Sequence, residues 1–324
     1  MKVTVLDDYQ DAVRDLRCFR LLDGHDVTVL TGPADPQRLT DVEALVPIRE
    51  RTRIDAALLE RLPRLRLVSQ TGPAGPHLDV AACTARGVAV SEGVGSPGAT
   101  AELTWALVLA GARRLPQYAA ALRAGAWQRN GLEALDGGLG FALEGRTLGV
   151  LGLGRIGGRV AAYGRAFGMD VLVWGRERSR AAAAEAGLAV AGSLEEVLAR
   201  ADVVSLHLRL SDETRGLVTL AGLRTTKPTA LLVNTARAAL VEPGALATAL
   251  REGRPGVAAV DVFETEPALD DPLLRLPNVV ATPHVGFVER DAYERLFEAA
   301  FRNVVDFAAG RLEVVVNSEA LRRR

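Results

Sequence analysis

The run TLGVLGLGRIGGRVAAYGRAFGMDVLVWG, residues 147–175, constrains the fold more than any other part of the chain. A short apolar segment is followed by Gly152, Gly154 and Gly157, then by a helical stretch from Arg155 to Phe167, then by a second apolar segment. Strand, glycine turn, helix and strand within about thirty residues describe a parallel pair joined by a crossover helix. At those glycine positions no Cβ stands between the backbone and a ligand. The start of the helix there offers amides and the positive end of its dipole. The arrangement suits the pyrophosphate of a dinucleotide, with Arg155 and Ile156 supplying amides. A second match to the same spacing, Gly93, Gly95 and Gly98, contains Pro97 and leads into helical sequence with no second strand. It reads as a crossing between domains.

The same alternation extends over the whole chain. From Val3 to Ser91 the runs VTVL, HDVTVL, ALVPI, RLVS and VAVS read as buried strands, with helices over Asp55–Leu62 and Leu78–Arg86. A long apolar helical region, Thr100 to Ala126, is interrupted by Pro116. Beyond it TLGVLG, DVLVWG, DVVSLHL, ALLVNTA, VAAVDVF and VVATPH repeat the strand signal. An amphipathic helix over Arg290–Ala309 and a last apolar stretch, LEVVV, follow. Two doubly wound parallel sheets are expected, and 324 residues suit two domains.

A net charge of -1 gives no reason to expect nucleic acid or an acidic membrane surface as a partner. No apolar run reaches the roughly 18 residues of a membrane span. The start, MKVTVLDDYQ, turns acidic where a signal peptide would be apolar, so a cytoplasmic protein is expected. Cys18 and Cys83 lack the spacing of a metal site, and no metal is expected. Lys2 and Lys227 are the only lysines among 39 basic residues, so an arginine cluster is not by itself a phosphate site.

Ligands of open α/β sheets bind beyond the carboxyl ends of the strands. His207, Arg237, Asp261 and His284 follow such strands here. At the end of the strand after the glycine loop, where a carboxylate usually meets the adenosine ribose, this chain has Gly175 and then Arg176. A missing carboxylate and an adjacent arginine favour NADP over NAD. A solvated arginine loop is the plainer alternative.

The segments GLGRIG, ADVVSLHLRLSDETRGLV, KPTALLVNTARAALVE, AAVDVFETEP and NVVATPHVG, in this order, resemble the D-isomer-specific 2-hydroxyacid dehydrogenases. The resemblance covers essentially the full length. It implies a nucleotide domain, 98–287, inserted into a discontinuous flavodoxin-like substrate domain, 1–97 plus 288–324. It also implies a soluble homodimer through the Thr100–Ala126 helices, acting on a small 2-oxo or 2-hydroxy acid with NAD or NADP. By the same resemblance Arg237 holds the substrate carboxylate, His284 exchanges a proton with the 2-oxo oxygen, and Glu266 orients His284. Asp261 meets the nicotinamide carboxamide, and Thr100, His207 and Ala236 flank the cofactor. Ala74 and Gly75, in the loop TGPAGPHLD, are the candidate substrate amides, since Pro73 has no N–H.

Three departures stand out. Ala238 replaces the glycine usual after the arginine, Arg209 replaces a proline, and the substrate loop is one residue short. Arg49 and Arg51, in PIRERT, lie where phosphoglycerate-oxidising members keep basic residues; a phosphate contact and a solvated face both suit them. Glu266 argues against formate oxidation. A non-catalytic, dinucleotide-sensing corepressor on the same fold is the alternative from another class, against which the intact Arg237, Glu266 and His284 set argues.

Overall fold

The computed structural model describes the chain apart from residues 34–35, 134–137, 313 and 323–324. The chain divides into two compact units, Met1–Ser96 with Phe287–Arg324, and Pro97–Gly286.

In the first unit five strands form one parallel sheet: β1 (Lys2–Val5), β2 (Asp26–Val29), β3 (Ala44–Val46), β4 (Leu67–Ser69) and β5 (Ala89–Ser91). Their spatial order is β2-β1-β3-β4-β5, the flavodoxin-like winding. Strands β3, β4 and β5 are buried at every position, which is why they read as unbroken apolar runs. The short helices Ala56–Glu60 and Val80–Ala85 start where Asp55 and Asp79 accept the amides of Leu58 (3.1 Å) and Ala82 (2.8 Å). Such caps are worth about 1 kcal/mol each. The helix Arg290–Ala308 turns Leu296, Phe297, Ala300, Phe301 and Val304 inward at helical spacing. Phe297 and Phe301 are fully buried, each contributing about 1.5–3 kcal/mol by removal from water. Ser69 Oγ donates to the Ala300 carbonyl (2.7 Å) and ties this helix to β4.

Arg49 and Arg51 are half-buried rather than a solvated face. Both guanidinium groups lie over the Phe287 ring, at 5.7 and 5.4 Å, and Arg51 also covers Tyr9 at 4.9 Å. Arg51 Nη1 donates to the Asp7 carbonyl (2.7 Å). The Arg49 guanidinium lies across Gly72, where a Cβ would come within 1.8 Å of Nη1.

The second unit holds seven parallel strands: β6 (Thr147–Leu151), β7 (Asp170–Trp174), β8 (Ala189–Val190), β9 (Val203–Leu206), β10 (Leu231–Asn234), β11 (Val257–Val260) and β12 (Val279–Ala281). The order is β12-β11-β10-β9-β6-β7-β8, so the winding reverses between β6 and β9. Successive residues face opposite cores. Leu148, Val150, Leu231 and Val233 pack beneath the helices Pro97–Ala112 and Arg155–Ala166. Leu151, Leu232 and Val260 pack against the helices Leu194–Arg200 and Ala245–Arg251 on the other side. β8, a two-residue strand with both residues exposed, carries no sequence signal.

The apolar helical region is two helices, Pro97–Ala112 and Leu115–Arg123. The break falls before Pro116, at Arg114, which is left-handed (φ 55°). Proline sits in the first turn of the second helix, where its missing N–H is not needed. Leu103, Leu107 and Ala110 pack into the core of their own unit. The exposed apolar side chains nearby are instead Leu115, Leu122, Trp127 and Leu139.

Candidate active site

The glycine loop lies at the reversal point, where ligand crevices of such sheets form. Gly152 is left-handed (φ 97°), and a Cβ there would come within 3.0 Å of the His207 backbone. A Cβ on Gly157 would lie 2.1 Å from the Gly152 carbonyl oxygen, so only glycine permits this approach. Gly154, at the start of the helix Arg155–Ala166, has open space where its Cβ would point and no side chain to cap the helix. The leading amides of Arg155 and Ile156 are therefore placed to receive an anionic oxygen. This cradle fits a pyrophosphate.

His207 follows β9, its amide donating to the Leu151 carbonyl (2.8 Å), and its Nε2 lies 2.8 Å from Ser205 Oγ. Burial pushes the imidazole down to about 4, so it is neutral near pH 7. Gly175 comes directly after β7 and Arg176 follows it.

Asn234 closes β10 and folds the next three residues. Its Oδ1 accepts from the Ala236 amide (3.0 Å), and its Nδ2 donates to the Arg237 carbonyl (2.9 Å). Arg237 is thereby held at the strand end, half-buried, with Nη1 donating to the Ala236 carbonyl (2.6 Å). Ala238 opens a short 3-10 turn without a positive φ, so its methyl replaces glycine without strain.

Asp261, after β11, is fully enclosed. Its Oδ1 accepts from Thr282 Oγ1 (2.7 Å) and the Val285 amide (2.8 Å), and its Oδ2 from the Gly286 amide (2.8 Å). Burial raises its carboxyl above the ordinary range against these hydrogen bonds. One carboxylate thus organises the loop that carries His284. His284 itself is left-handed (φ 53°), a conformation costing about 1–3 kcal/mol that persists only where the surroundings impose it. Its Nδ1 lies 2.6 Å from Glu266 Oε2, while Glu266 Oε1 accepts from the Phe263 amide (3.1 Å). Burial alone would raise the Glu266 carboxyl. The His284 hydrogen bond and charge, the Phe263 amide and the Arg237 charge outweigh it and hold the carboxyl below its ordinary value. An ionised Glu266 only accepts, which puts a proton on Nδ1.

Thr100 lies next to this loop: a Cβ on Gly286 would come within 3.4 Å of Thr100 Cγ2 and 3.1 Å of Asp261 Oδ2. Behind it Thr104 Oγ1 donates to the Thr100 carbonyl (2.7 Å) and lies 2.6 Å from Thr235 Oγ1. The second unit therefore brings together Arg237, Glu266, His284, Asp261 and Thr100. Asn234 and Thr282, which do the positioning, were not among the residues expected from sequence; an Asn at a strand end is a turn signal that points to the first. In the first unit, the Ala74 amide donates to Glu92 Oε1 (2.6 Å), and His77 Nε2 lies 3.0 Å from Gln70 Nε2.

A doubly wound sheet with a glycine cradle at its reversal point is the form of a dinucleotide-binding domain. Residues 105–286 match the model of the D-isomer specific 2-hydroxyacid dehydrogenase NAD binding domain. The chain is 44% identical over 280 residues to a glyoxylate reductase of Aeropyrum pernix, covering 84% of this chain and 82% of that one. It is 34% identical over 326 residues to a D-3-phosphoglycerate dehydrogenase of Methanocaldococcus jannaschii, covering 98% of this chain and 59% of that one. A solved structure described as a putative D-3-phosphoglycerate dehydrogenase oxidoreductase from Ralstonia solanacearum superposes with a TM-score of 0.96 at 54% identity, covering 99% of this chain and 98% of that one. The chain belongs to the D-isomer-specific 2-hydroxyacid dehydrogenase family. It is an oxidoreductase of the hydride-transfer kind that uses a nicotinamide dinucleotide. Among the described residues no helix is long and apolar enough to cross a membrane.

Proposed function

We propose that this protein interconverts a small 2-oxo acid and its D-2-hydroxy acid, with His284 as the group that moves the proton. The observation that carries the reading is the 2.6 Å contact between His284 Nδ1 and a Glu266 carboxylate held ionised. The bound dinucleotide supplies or takes up the hydride. In the reducing direction His284 Nε2 gives its proton to the carbonyl oxygen, and in oxidation it takes that proton back. Glu266 stabilises the protonated ring and fixes its orientation. Arg237 binds the substrate carboxylate through its planar fork and polarises the 2-oxo group. The Arg155 and Ile156 amides hold the pyrophosphate within the cradle of Gly152, Gly154 and Gly157. Thr100, His207, Ala236 and Asp261 flank the rest of the cofactor, Asp261 also anchoring the His284 loop.

Ala74 and Gly75 are the proposed backbone donors of the first unit, and Glu92 has to leave the Ala74 amide for it to act. The half-buried Arg49 and Arg51, beside Gly72 and Phe287, support a phosphorylated acid as one substrate to test. NADP is preferred over NAD, a reading supported by the bare Gly175 and by Arg176. A second copy of the chain covers the exposed Leu115, Leu122, Trp127 and Leu139, Trp127 being 75% exposed; static light scattering reports a dimer if so.

The test is absorbance at 340 nm with NADPH or NADH against glyoxylate, hydroxypyruvate, pyruvate and phosphohydroxypyruvate. Oxidation with any one supports the reading. Tight cofactor binding without oxidation across such a panel supports the sensor alternative.

A further inference from the structure

The end of β7 has no room for the carboxylate that usually meets an adenosine ribose. A Cβ on Gly175 would lie 2.9 Å from Ser179 Cβ and 3.0 Å from its Oγ. Ser179 cannot simply withdraw, because its Oγ accepts the Leu153 amide (3.1 Å) and so ties the glycine loop to the helix Glu177–Glu185. Arg176, next in sequence, reaches across instead to the loop that follows β9. Its Nη2 donates to Ser211 Oγ (3.1 Å) and pairs with the Glu213 carboxylate. That loop is a built feature. The hydroxyl of buried Thr214 donates to the Arg209 carbonyl (2.7 Å) and accepts from the Ser211 amide (2.8 Å), fixing the turn from Ser211 to Thr214 that carries Glu213. A carboxylate from a different strand end is thus brought to Arg176, beside the position that Gly175 leaves bare.

We propose that Glu213 governs the choice between NAD and NADP. It supplies the adenosine ribose hydroxyls with the acceptor that Gly175 lacks, and it is the anion that a 2′-phosphate displaces from Arg176. The inference rests on the reading of Arg176 as the partner of a 2′-phosphate. Both side chains of the ion pair are largely exposed, so the pair is weak and exchangeable. A phosphate can engage the arginine fork with a higher charge than the carboxylate it replaces. Glu213 therefore narrows the preference for NADP and lets NAD bind as well.

The test compares wild type, Glu213→Gln and Arg176→Gln in two readouts. One is kcat/KM for NADPH and NADH with a reducible 2-oxo acid. The other is calorimetric affinity for ADP-ribose and 2′-phospho-ADP-ribose, which needs no turnover. Glu213→Gln is expected to raise the NADPH-to-NADH ratio by about tenfold or more, to weaken ADP-ribose and to tighten its 2′-phosphorylated form. Arg176→Gln is expected to weaken the 2′-phosphorylated form by about tenfold. If Arg176→Gln has that effect while Glu213→Gln moves neither readout beyond about twofold, the role of Glu213 is overturned and that of Arg176 stands. If neither variant changes discrimination, the reading of Arg176 falls with it. Glu213→Asp, which keeps the charge, restores discrimination towards the wild-type value if the carboxylate is the active feature.

Discussion

Glu266 Oε2 stands 2.6 Å from His284 Nδ1, and the second oxygen of the same carboxylate is held by the Phe263 amide. The imidazole is thereby fixed in one tautomer, with its proton on Nδ1. In Glu266→Gln the amide oxygen still accepts from Nδ1, but no charge opposes the protonated ring. Turnover is expected to fall by about 10²-fold with the cofactor dissociation constant unchanged, measured by steady-state kinetics and fluorescence titration. Unchanged turnover would make Glu266 a loop anchor only.

One guanidinium nitrogen of Arg237 donates to the Ala236 carbonyl, and in the proposed reaction the same planar group also holds the substrate carboxylate. A lysine cannot do both, because its ammonium is a single point of charge. Arg237→Lys is expected to lower kcat/KM for the 2-oxo acid by about 10²-fold, roughly 2.7 kcal/mol of transition-state binding. Retention of half or more of wild-type efficiency would remove Arg237 from substrate recognition.

Asp261 holds three donors of the His284 loop with one buried carboxylate. Asn in its place offers a donor where an acceptor is needed, and a buried amide loses its partner at a cost of about 1–3 kcal/mol. Asp261→Asn is expected to lower stability by that amount in urea unfolding and to lower kcat as well. Loss of stability with full kcat would show that the loop holds His284 without Asp261.

His207 makes stability depend on pH. Burial lowers its imidazole from an ordinary 6.5 to about 4. Between those values the unfolded chain binds a proton that the folded protein excludes. The contribution is complete above pH 6.5 and is lost as pH falls towards 4. The melting temperature of wild type is expected to drop more steeply over this window than that of His207→Asn. Parallel curves would mean that the imidazole is not enclosed.

Much of this was legible in the sequence because buried parallel strands are apolar on both faces. The segments containing β3, β4, β10 and β11 could therefore be read directly. The functional residues follow those strands by a few positions, so strand ends led to Arg237, Asp261 and His284. What escaped was set by contacts between distant parts of the chain. β8 is two exposed residues fixed by pairing with β7. The helix break at Arg114 precedes Pro116 because proline is tolerated in the first turn of a helix. The burial of Arg49 and Arg51 comes from Phe287, more than 230 positions away in sequence. The bond between Ala74 and Glu92 likewise had no local signal.

The most direct test of the central claim is single-turnover reduction of an accepted 2-oxo acid by wild type and His284→Gln, followed at 340 nm, with the cofactor dissociation constant measured beside it. A fall in rate of about 10² to 10⁴-fold is expected, with cofactor affinity unchanged. A rate within a factor of about two of wild type would contradict it, and the proton would have to come from a group other than His284.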